Sequence, residues 1–96
     1  MDLGIKGRRA LVTGASSGLG LAAATALAAE GVLVTISSRS RERLESAAAR
    51  VKELTGAVVQ ISPGDIASAD DVRKIVTGAG DVDILVSNCG GPPPGP

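Results

Sequence analysis

The sequence predicts an α/β protein built on a parallel sheet with helices on both faces. This prediction rests first on short apolar runs rich in β-branched residues, which are typical of strands buried on both sides. Segments of helical length separate these runs, so neighbouring strands are expected to run parallel, with right-handed crossovers. The four predicted strands lie at residues 10–12, 32–36, 57–61 and 82–86.

The first two connections between strands carry helical signals along their length. Residues 18–30 are mostly Ala and Leu, and Gly31 is placed to end that helix. Over residues 41–55, apolar side chains recur at helical spacing. Ser40 is suited to cap the start of this second helix, and Gly56 is suited to end it.

The third helix is predicted at about residues 69–77, where Ser68 begins a sequence similar to a capping box and an apolar stripe follows. The full order is therefore βαβαβαβ. It predicts a Rossmann-type doubly wound parallel sheet, present as a half domain with the strand order 3-2-1-4. The first two helices should cover one face of this sheet, and the third helix should cover the other face.

Composition restricts the class of protein further. Of the 96 residues, 44% are hydrophobic and none is aromatic, and the ten basic and ten acidic side chains cancel. The core must therefore consist of Ala, Val, Leu and Ile, and a nucleic-acid partner is not expected. A single cysteine and the lack of histidine exclude an internal disulfide and the common metal sites. No apolar run could span a membrane and the start does not resemble a signal peptide, so a cytoplasmic protein without a membrane partner is expected.

A glycine-rich segment joins the first predicted strand to the first predicted helix. Glycines permit a tight turn and a close backbone approach to a ligand, and the start of a helix offers free N–H groups to a pyrophosphate. A turn chosen only for close packing is the alternative, and a Walker-type loop is disfavoured because no Gly-Lys-Ser/Thr follows. The candidate phosphate-binding residues are Thr13, Gly14, Ser16, Ser17, Gly18, Leu19 and Gly20.

Three motifs together resemble the short-chain dehydrogenase/reductase family, and the likeness covers all 96 residues. The spacing Thr13-Gly14-x-x-x-Gly18-x-Gly20 is similar to the family's cofactor signature, and residues 5–12 are similar to the usual approach to it. Residues 83–90 resemble the fourth-strand motif, which commonly contains Asn-Asn-Ala-Gly. The Gly-Gly-Pro-Pro-Pro-Gly stretch at residues 90–95 resembles the branch of 3-oxoacyl-acyl-carrier-protein reductases. The resemblance implies an oxidoreductase that binds a dinucleotide.

The end of the second predicted strand bears on which dinucleotide is bound. An acidic side chain there accepts from the ribose 2′-hydroxyl of NAD, whereas a basic side chain accommodates the extra phosphate of NADP. Here Ser38 and Arg39 offer a hydroxyl and a planar guanidinium, and the first carboxylate is Glu42. NADP is therefore expected, with NAD less favoured. The alternative is that Arg39 and Arg41 are solvated cations at the start of a helix.

The resemblance also implies roles for residues that follow the third and fourth predicted strands. Asp65 is expected to accept from the adenine amino group, and Ile66 is expected to pack beside the ring. The alternative is that Asp65 is a turn residue.

Asn88 is expected to provide backbone and ribose contacts near the nicotinamide, with Cys89 and Gly90 in the turn beside it. Ser87 and Cys89 depart from the commonest family pattern, but both are small. No histidine can activate Cys89, so it is not expected to be a nucleophile.

No catalytic residue can be assigned within the chain. In the resembled family, a serine, a tyrosine and a lysine four residues after that tyrosine act at the substrate carbonyl. This sequence contains no tyrosine, and none of its lysines matches the family's catalytic position. We expect residues 1–91 to form the nucleotide-binding half domain of a longer oxidoreductase, truncated at the Pro/Gly-rich residues 92–96 and inactive alone.

The expected partners are a dinucleotide and a second polypeptide. Residues 84–86 would form an apolar sheet edge, which invites self-association or pairing with a complementing C-terminal fragment. Two other functions stay open: a self-contained, non-catalytic nucleotide-binding or assembly module, and a methyltransferase-like domain for an adenosyl ligand. The methyltransferase-like domain is disfavoured because it usually has an acidic residue where this chain has Arg39.

Overall fold

A computed structural model of the chain describes residues 7–16, 18–65 and 67–87. Within these ranges strands and helices alternate in the predicted order, and most element ends lie within two residues of the predicted ones. The strands are β1 (Arg9–Thr13), β2 (Leu33–Ser37), β3 (Gln60–Ile61) and β4 (Ile84–Val86). The helices are α1 (Gly18–Ala29), α2 (Arg41–Thr55) and α3 (Ala69–Ala79). None of these helices is long and apolar enough to cross a membrane.

The four strands form one parallel sheet in the order β3-β2-β1-β4, which confirms the predicted doubly wound arrangement. Val12 at the centre of the sheet pairs with Ile36 of β2 on one side and with Val86 of β4 on the other. In this order the first and last strands become neighbours although most of the chain separates them. Their carboxyl ends therefore lie side by side.

The third strand is shorter than the predicted run over residues 57–61. After α2, the Ala57 N–H donates to Thr55 Oγ1 at 3.1 Å, which holds the start of that run against the end of the helix. Beyond β3, the chain stays beside β2 because the Ser62 N–H donates to the Ile36 carbonyl at 2.8 Å. The whole run over residues 57–61 is largely apolar. Composition alone therefore does not distinguish the residues held against the end of α2 from the strand that follows them.

The fourth strand also begins later than the predicted run over residues 82–86. The Asp83 N–H donates to the Arg9 carbonyl at 2.9 Å, and Asp83 Oδ2 accepts from the Arg9 N–H at 3.0 Å. The Asp83 carboxylate thus accepts from the Arg9 N–H, as a main-chain carbonyl would do within the sheet, before the pairing of β1 with β4 begins. Arg8 Nη1 lies 3.9 Å from Asp83 Oδ1, so both basic residues at the start of β1 contact this side chain.

The main core lies between the sheet and the pair α1 and α2, on one face as predicted. Small buried residues at four-residue spacing, Gly20, Ala24 and Ala28, let α1 lie close to the strands. The α2 residues that face the sheet are Leu44, Ala47 and Val51. They pack with Val12 and Ile36, both of which are fully buried.

Side-chain caps define where α2 and α3 begin. Ser40 Oγ accepts from the Arg43 N–H at 3.2 Å, and Ser68 Oγ accepts from the Asp71 N–H at 3.3 Å. The helix α2 ends at Gly56, which adopts a left-handed conformation with φ of +79°. Each of these three caps lies where the sequence predicts it.

The helix α3 covers the opposite face of the sheet, as predicted, but covers little of it. Ile75 and Ala79 pack on Leu11 of β1. On the strands that flank β1, Leu33 and Leu85 are 58% and 65% exposed. This face therefore leaves more than half of each of these apolar side chains exposed.

The α3 face also contains an unusual buried hydroxyl at the end of β2. Ser37 has no exposed surface, and within the described ranges its Oγ has no hydrogen-bond partner. It pairs in register with Thr13, whose Oγ1 donates to the Val86 carbonyl at 3.5 Å. Burial of a hydroxyl without a partner costs about 1–3 kcal/mol in proteins.

Substitution of Gly20 tests the close approach of α1 to the loop before it. A Cβ at this position would lie 2.3 Å from the Gly14 carbonyl oxygen, and both partners are backbone. We expect Gly20→Ala to lower the free energy of unfolding by about 3 kcal/mol, or to abolish folding, in urea titrations followed by circular dichroism. Gly78→Ala is the matched control, because a Cβ on this α3 glycine meets nothing within 4 Å. It should stabilise the protein by up to about 1 kcal/mol, and equal effects of the two variants would contradict this account.

Substitution of Ser37 tests the cost of the unpaired hydroxyl. We expect Ser37→Ala to raise the free energy of unfolding by about 1 kcal/mol, since it removes a buried polar group that gains no hydrogen bond. The control is Ser87→Ala, at an exposed position, which should change stability by less than about 0.5 kcal/mol. A clear loss of stability in Ser37→Ala would show that the hydroxyl has a partner in solution.

Candidate dinucleotide-binding site

The glycine-rich loop connects the carboxyl end of β1 to the first turn of α1. Gly14 and Gly18 adopt φ of +62° and +61°, a left-handed conformation that favours glycine. The loop is fixed at its base, because the Ala15 N–H donates to the Ser37 carbonyl at 3.1 Å and Ala15 is fully buried. The backbone directly after β1 is thus held in a tight turn across the ends of β1 and β2.

Some side chains of this loop are buried and hold the strand ends together, whereas others are exposed. Thr13 is mostly buried, and its hydrogen bond to the Val86 carbonyl joins the ends of β1 and β4. Ser16 is partly buried, whereas Leu19 in the first turn of α1 is 83% exposed. A large apolar side chain at the open mouth of the loop is available for contact with a ligand. Ser17, also predicted for this site, lies outside the described residues.

The chain that follows β2 forms a short local turn. Ser38 Oγ donates to the Ser40 carbonyl and accepts from the Ser40 N–H, both at 3.4 Å. Arg39 is exposed, and it forms no ion pair with another described residue. The Gly64 N–H donates to the Ser38 carbonyl at 2.9 Å, which joins this turn to the chain that leads to Asp65.

Asp65 is partly buried at the start of the loop before α3. Its Oδ1 accepts from the Ala67 N–H at 2.9 Å, and its own N–H donates to Asp71 Oδ2 at 2.9 Å. The turn role that the sequence left open is thus present in the structure, while the contact to adenine stays a prediction. Ile66, Asn88, Cys89 and Gly90, the remaining predicted site residues, lie outside the described ranges.

An open cleft of about 450 Å³ lies between the loop and the first two turns of α2. Sequence reasoning identified only one of its lining residues, Ser16, as part of a site. The others are Ser40, Glu42, Arg43 and Ser46. The sequence contained a signal for these α2 residues. Its capping pattern predicts where α2 begins, and residues next to the buried Leu44 must lie beside the face of the helix that packs on the sheet.

The described parts of the site converge at the carboxyl ends of the parallel strands. Thr13 ends β1, whereas Ser38 and Asp65 come after β2 and β3, and hydrogen bonds from the loop and from Gly64 join their surroundings. Open α/β sheets bind ligands at this edge, between strands such as β1 and β4 where the chain changes direction. The loop geometry fits a phosphate group. Glycine keeps side chains out of the turn, and the first N–H groups of α1 have no partner within the helix.

Proteins with similar sequences are reductases and dehydrogenases. The chain is 41% identical over 86 residues to a 3-dehydrosphinganine reductase of Arabidopsis thaliana, covering 90% of this chain and 26% of that protein. It is 42% identical over 88 residues to L-xylulose reductase of Mus musculus, covering 92% of this chain and 34% of that protein. The chain thus spans about a quarter to a third of the length of these curated relatives.

Solved structures with the same fold include one with a bound cofactor. L-sorbose reductase from Gluconobacter frateurii, complexed with NADPH and L-sorbose, superposes with a TM-score of 0.87 at 40% identity, over 95% of this chain and 36% of that chain. A protein assigned as a betaketoacyl-ACP reductase superposes with a TM-score of 0.79 at 40% identity, over 88% of this chain and 34% of that chain. The second likeness supports the resemblance to the 3-oxoacyl-acyl-carrier-protein reductase branch.

A family model confirms the resemblance that the motifs suggested. The model that describes short chain dehydrogenases matches residues 8–96, which is nearly the whole chain. The matched region includes the glycine-rich loop and the residues at the ends of all four strands. It also includes β1 and β4, which the strand order places side by side. This chain belongs to the short-chain dehydrogenase family.

Proposed function

We propose that this chain binds NADP(H) at the edge where the strands end and forms the nucleotide-binding half of a short-chain oxidoreductase. One observation carries the proposal. The first turn of α1 lies so close to the glycine-rich loop that a side chain on Gly20 would collide with the backbone of Gly14. Such a turn presents main-chain N–H groups to a ligand phosphate without steric obstruction.

In this proposal the loop residues bind the pyrophosphate mainly through the backbone. The N–H groups of Gly18, Leu19 and Gly20 belong to the first turn of α1, where no helical carbonyl accepts from them. The exposed Leu19 side chain would pack against the nucleotide. Thr13 would act indirectly, since its bond to the Val86 carbonyl keeps the ends of β1 and β4 together.

The remaining predicted contacts complete the proposed site. Asp65 would accept from the adenine amino group and Ile66 would pack beside the ring. Asn88, Cys89 and Gly90 would approach the ribose and nicotinamide after β4. The partly buried position of Asp65, in a loop fixed by the bond from its own N–H to Asp71, supports a defined orientation for its carboxylate.

NADP(H) is proposed over NAD(H) because of the charge at the end of β2. Arg39 is an exposed cation without an ion pair among the described residues, and Ser38 precedes it in place of a carboxylate. A guanidinium fork suits the geometry of a phosphate. The presence of NADPH in the structure of L-sorbose reductase, which is 40% identical to this chain, supports this choice.

The activity of the whole oxidoreductase is proposed as reduction of a carbonyl group, or oxidation of the corresponding alcohol. NADPH supplies the hydride for such a reduction when it is bound. The 96 residues contain no tyrosine to act as the acid, so the chain alone should bind nucleotide without turnover. Residues 1–91 would form the binding half domain. A 3-oxoacyl group is the proposed substrate class, on the likeness to the protein assigned as a betaketoacyl-ACP reductase.

A self-contained binding or assembly module is the less favoured function. The proteins that match are described as oxidoreductases, and the family model that matches nearly the whole chain describes dehydrogenases.

Equilibrium dialysis against NADP⁺ or NAD⁺ tests the proposed cofactor. Bound nucleotide can be measured at 260 nm, where a chain without Trp or Tyr absorbs little. We expect preferential binding of NADP⁺, and Arg39→Ala should weaken it about tenfold with little effect on NAD⁺, because one charged hydrogen bond is lost. Arg50→Ala, an exposed arginine farther along α2, serves as the control and should change neither affinity. Binding of neither nucleotide by the unaltered chain would refute the proposal.

Self-association through the edge of β4 is proposed as a further property of the chain. In the described ranges β4 pairs with β1 on one side and with no strand on the other. Leu85 at this edge is 65% exposed. An apolar strand edge of this kind pairs readily with another chain, either a second copy or a complementing C-terminal fragment.

Sedimentation velocity at micromolar protein concentration tests this association. We expect dimers or larger species for the unaltered chain, and Leu85→Lys should shift the population towards monomer, since a charge at an edge opposes strand pairing. Leu54→Lys is the matched control, because Leu54 has a similar exposed fraction of 56% but lies on α2. A compact monomer for the unaltered chain would rule out the proposed association.

A further inference from the structure

The carboxylate of Asp71 joins the first turn of α3 to the loop that follows β3. Asp71 Oδ2 accepts from the Asp65 N–H at 2.9 Å. In a full capping box, the side chain at this third helical position would accept from the N–H of the cap residue, which is Ser68 here. The Ser68 N–H instead donates to the Asp65 carbonyl at 2.9 Å. The capping box is therefore only half formed, because its carboxylate holds Asp65.

The loop held by Asp71 is fixed on its other side by the chain that follows β2. The Gly64 N–H donates to the Ser38 carbonyl at 2.9 Å. A Cβ on Gly64 would lie 2.8 Å from Ile75 Cδ1 and 3.3 Å from Asp71 Cβ, so the loop packs directly on α3. Ile75 is buried and Asp71 is partly buried, one helical turn apart. The place of the loop therefore depends on α3 as well as on β2.

These contacts leave one oxygen of the Asp65 carboxylate for a ligand. The Asp65 N–H and carbonyl bond to the start of α3, and Oδ1 accepts from the Ala67 N–H at 2.9 Å. No donor in the described part of the chain bonds to Oδ2. An ionised carboxylate oxygen is an acceptor only, so Oδ2 suits a ligand N–H. Because the backbone of Asp65 is held at two points and its carboxylate at one, the direction of Oδ2 is set by the same bonds.

We propose that Asp71 is a positioning residue for recognition of the nucleotide base. It holds the backbone of Asp65 so that Asp65 Oδ2 accepts from the adenine amino group. This inference rests on the proposed function and adds to it the α3 residue that sets the direction of the Asp65 carboxylate. Asp71 does not contact the base in this arrangement. Its loss should therefore weaken discrimination between bases, whereas a purely structural role would weaken the binding of every nucleotide equally.

Two nucleotides that differ only in the base test the role of Asp71. NADP⁺ carries the adenine amino group, and nicotinamide hypoxanthine dinucleotide phosphate has a carbonyl oxygen in its place. Equilibrium dialysis of each nucleotide against the 96-residue chain gives the ratio of their affinities. We expect the unaltered chain to prefer NADP⁺ about tenfold, since one hydrogen bond to a carboxylate distinguishes the two. Asp71→Ala should lower this preference to about threefold, because the Asp65 carboxylate is then less well oriented.

Matched variants separate this role from an effect on the charge of α3. Asp71→Asn keeps a side-chain oxygen that accepts from the Asp65 N–H, so it should retain the preference. Asp70→Ala removes the other carboxylate of the first turn, which is exposed and lies 3.7 Å from the Arg73 guanidinium. It should retain the preference as well, because an exposed ion pair of this kind contributes little.

A double variant shows whether Asp71 acts through Asp65. Asp65→Ala should abolish the preference for NADP⁺, and Asp71→Ala added to it should cause no further change in the ratio. Circular dichroism should show equal helix content in all variants. If Asp71→Ala lowers the helix content, Asp71→Glu takes its place, since the longer side chain suits a full capping box at Ser68 and should keep α3 folded. It too should lower the preference, because its carboxylate then bonds to the cap.

The outcomes distinguish this inference from the proposed function. If the folded Asp71 variants keep the full preference, or lose affinity equally for both nucleotides, the positioning role is overturned and the proposed function stands. The same holds if the unaltered chain binds both nucleotides equally, since Asp65 then does not read the amino group. If the unaltered chain binds neither nucleotide, the proposed function fails and the positioning role fails with it.

Discussion

The first turn of α1 lies so close to the loop before it that backbone contacts backbone, and the geometry of the site depends on this contact. Gly20 meets the Gly14 carbonyl with no room for a Cβ, while Ala15 is buried and bonded to the end of β2. The helix can therefore begin immediately above the sheet instead of after a wider turn. Its first N–H groups then point at the space above the strand ends, which is where a phosphate is best stabilised.

Small and aliphatic side chains also determine how the helices pack on the sheet. Without aromatic side chains, the main core is filled by Ala, Val, Leu and Ile, and the alanines of α1 bring that helix close to the sheet. The core is therefore thin but continuous on the side of α1 and α2. On the other side, α3 packs on little more than Leu11, which leaves Leu33 and Leu85 exposed. The face under α1 and α2 thus holds most of the buried core, whereas the α3 face leaves large apolar side chains exposed.

Most of the fold could be predicted from the sequence because its signals are local. The strand order, the faces of the helices and the caps at Ser40, Gly56 and Ser68 follow from runs of apolar residues and from single residues with one strong preference. The lengths of β3 and β4 could not be predicted, since they depend on the side chains of Thr55 and Asp83, which accept hydrogen bonds from main-chain N–H groups. The cleft residue Arg43 and the unpaired Ser37 hydroxyl were missed for a related reason. Both depend on which distant elements lie opposite them.

The carboxylate of Asp83 joins the beginnings of β1 and β4 at the end of the sheet opposite the candidate site. It accepts from a main-chain N–H that lies 74 positions away in the sequence. Contacts between such distant residues form only after a large loop has closed, so they arise late in folding. We therefore expect the crevice between β1 and β4 to be assembled last, after the earlier βαβ units. A nascent chain would acquire its phosphate loop well before the opposite wall of the crevice exists.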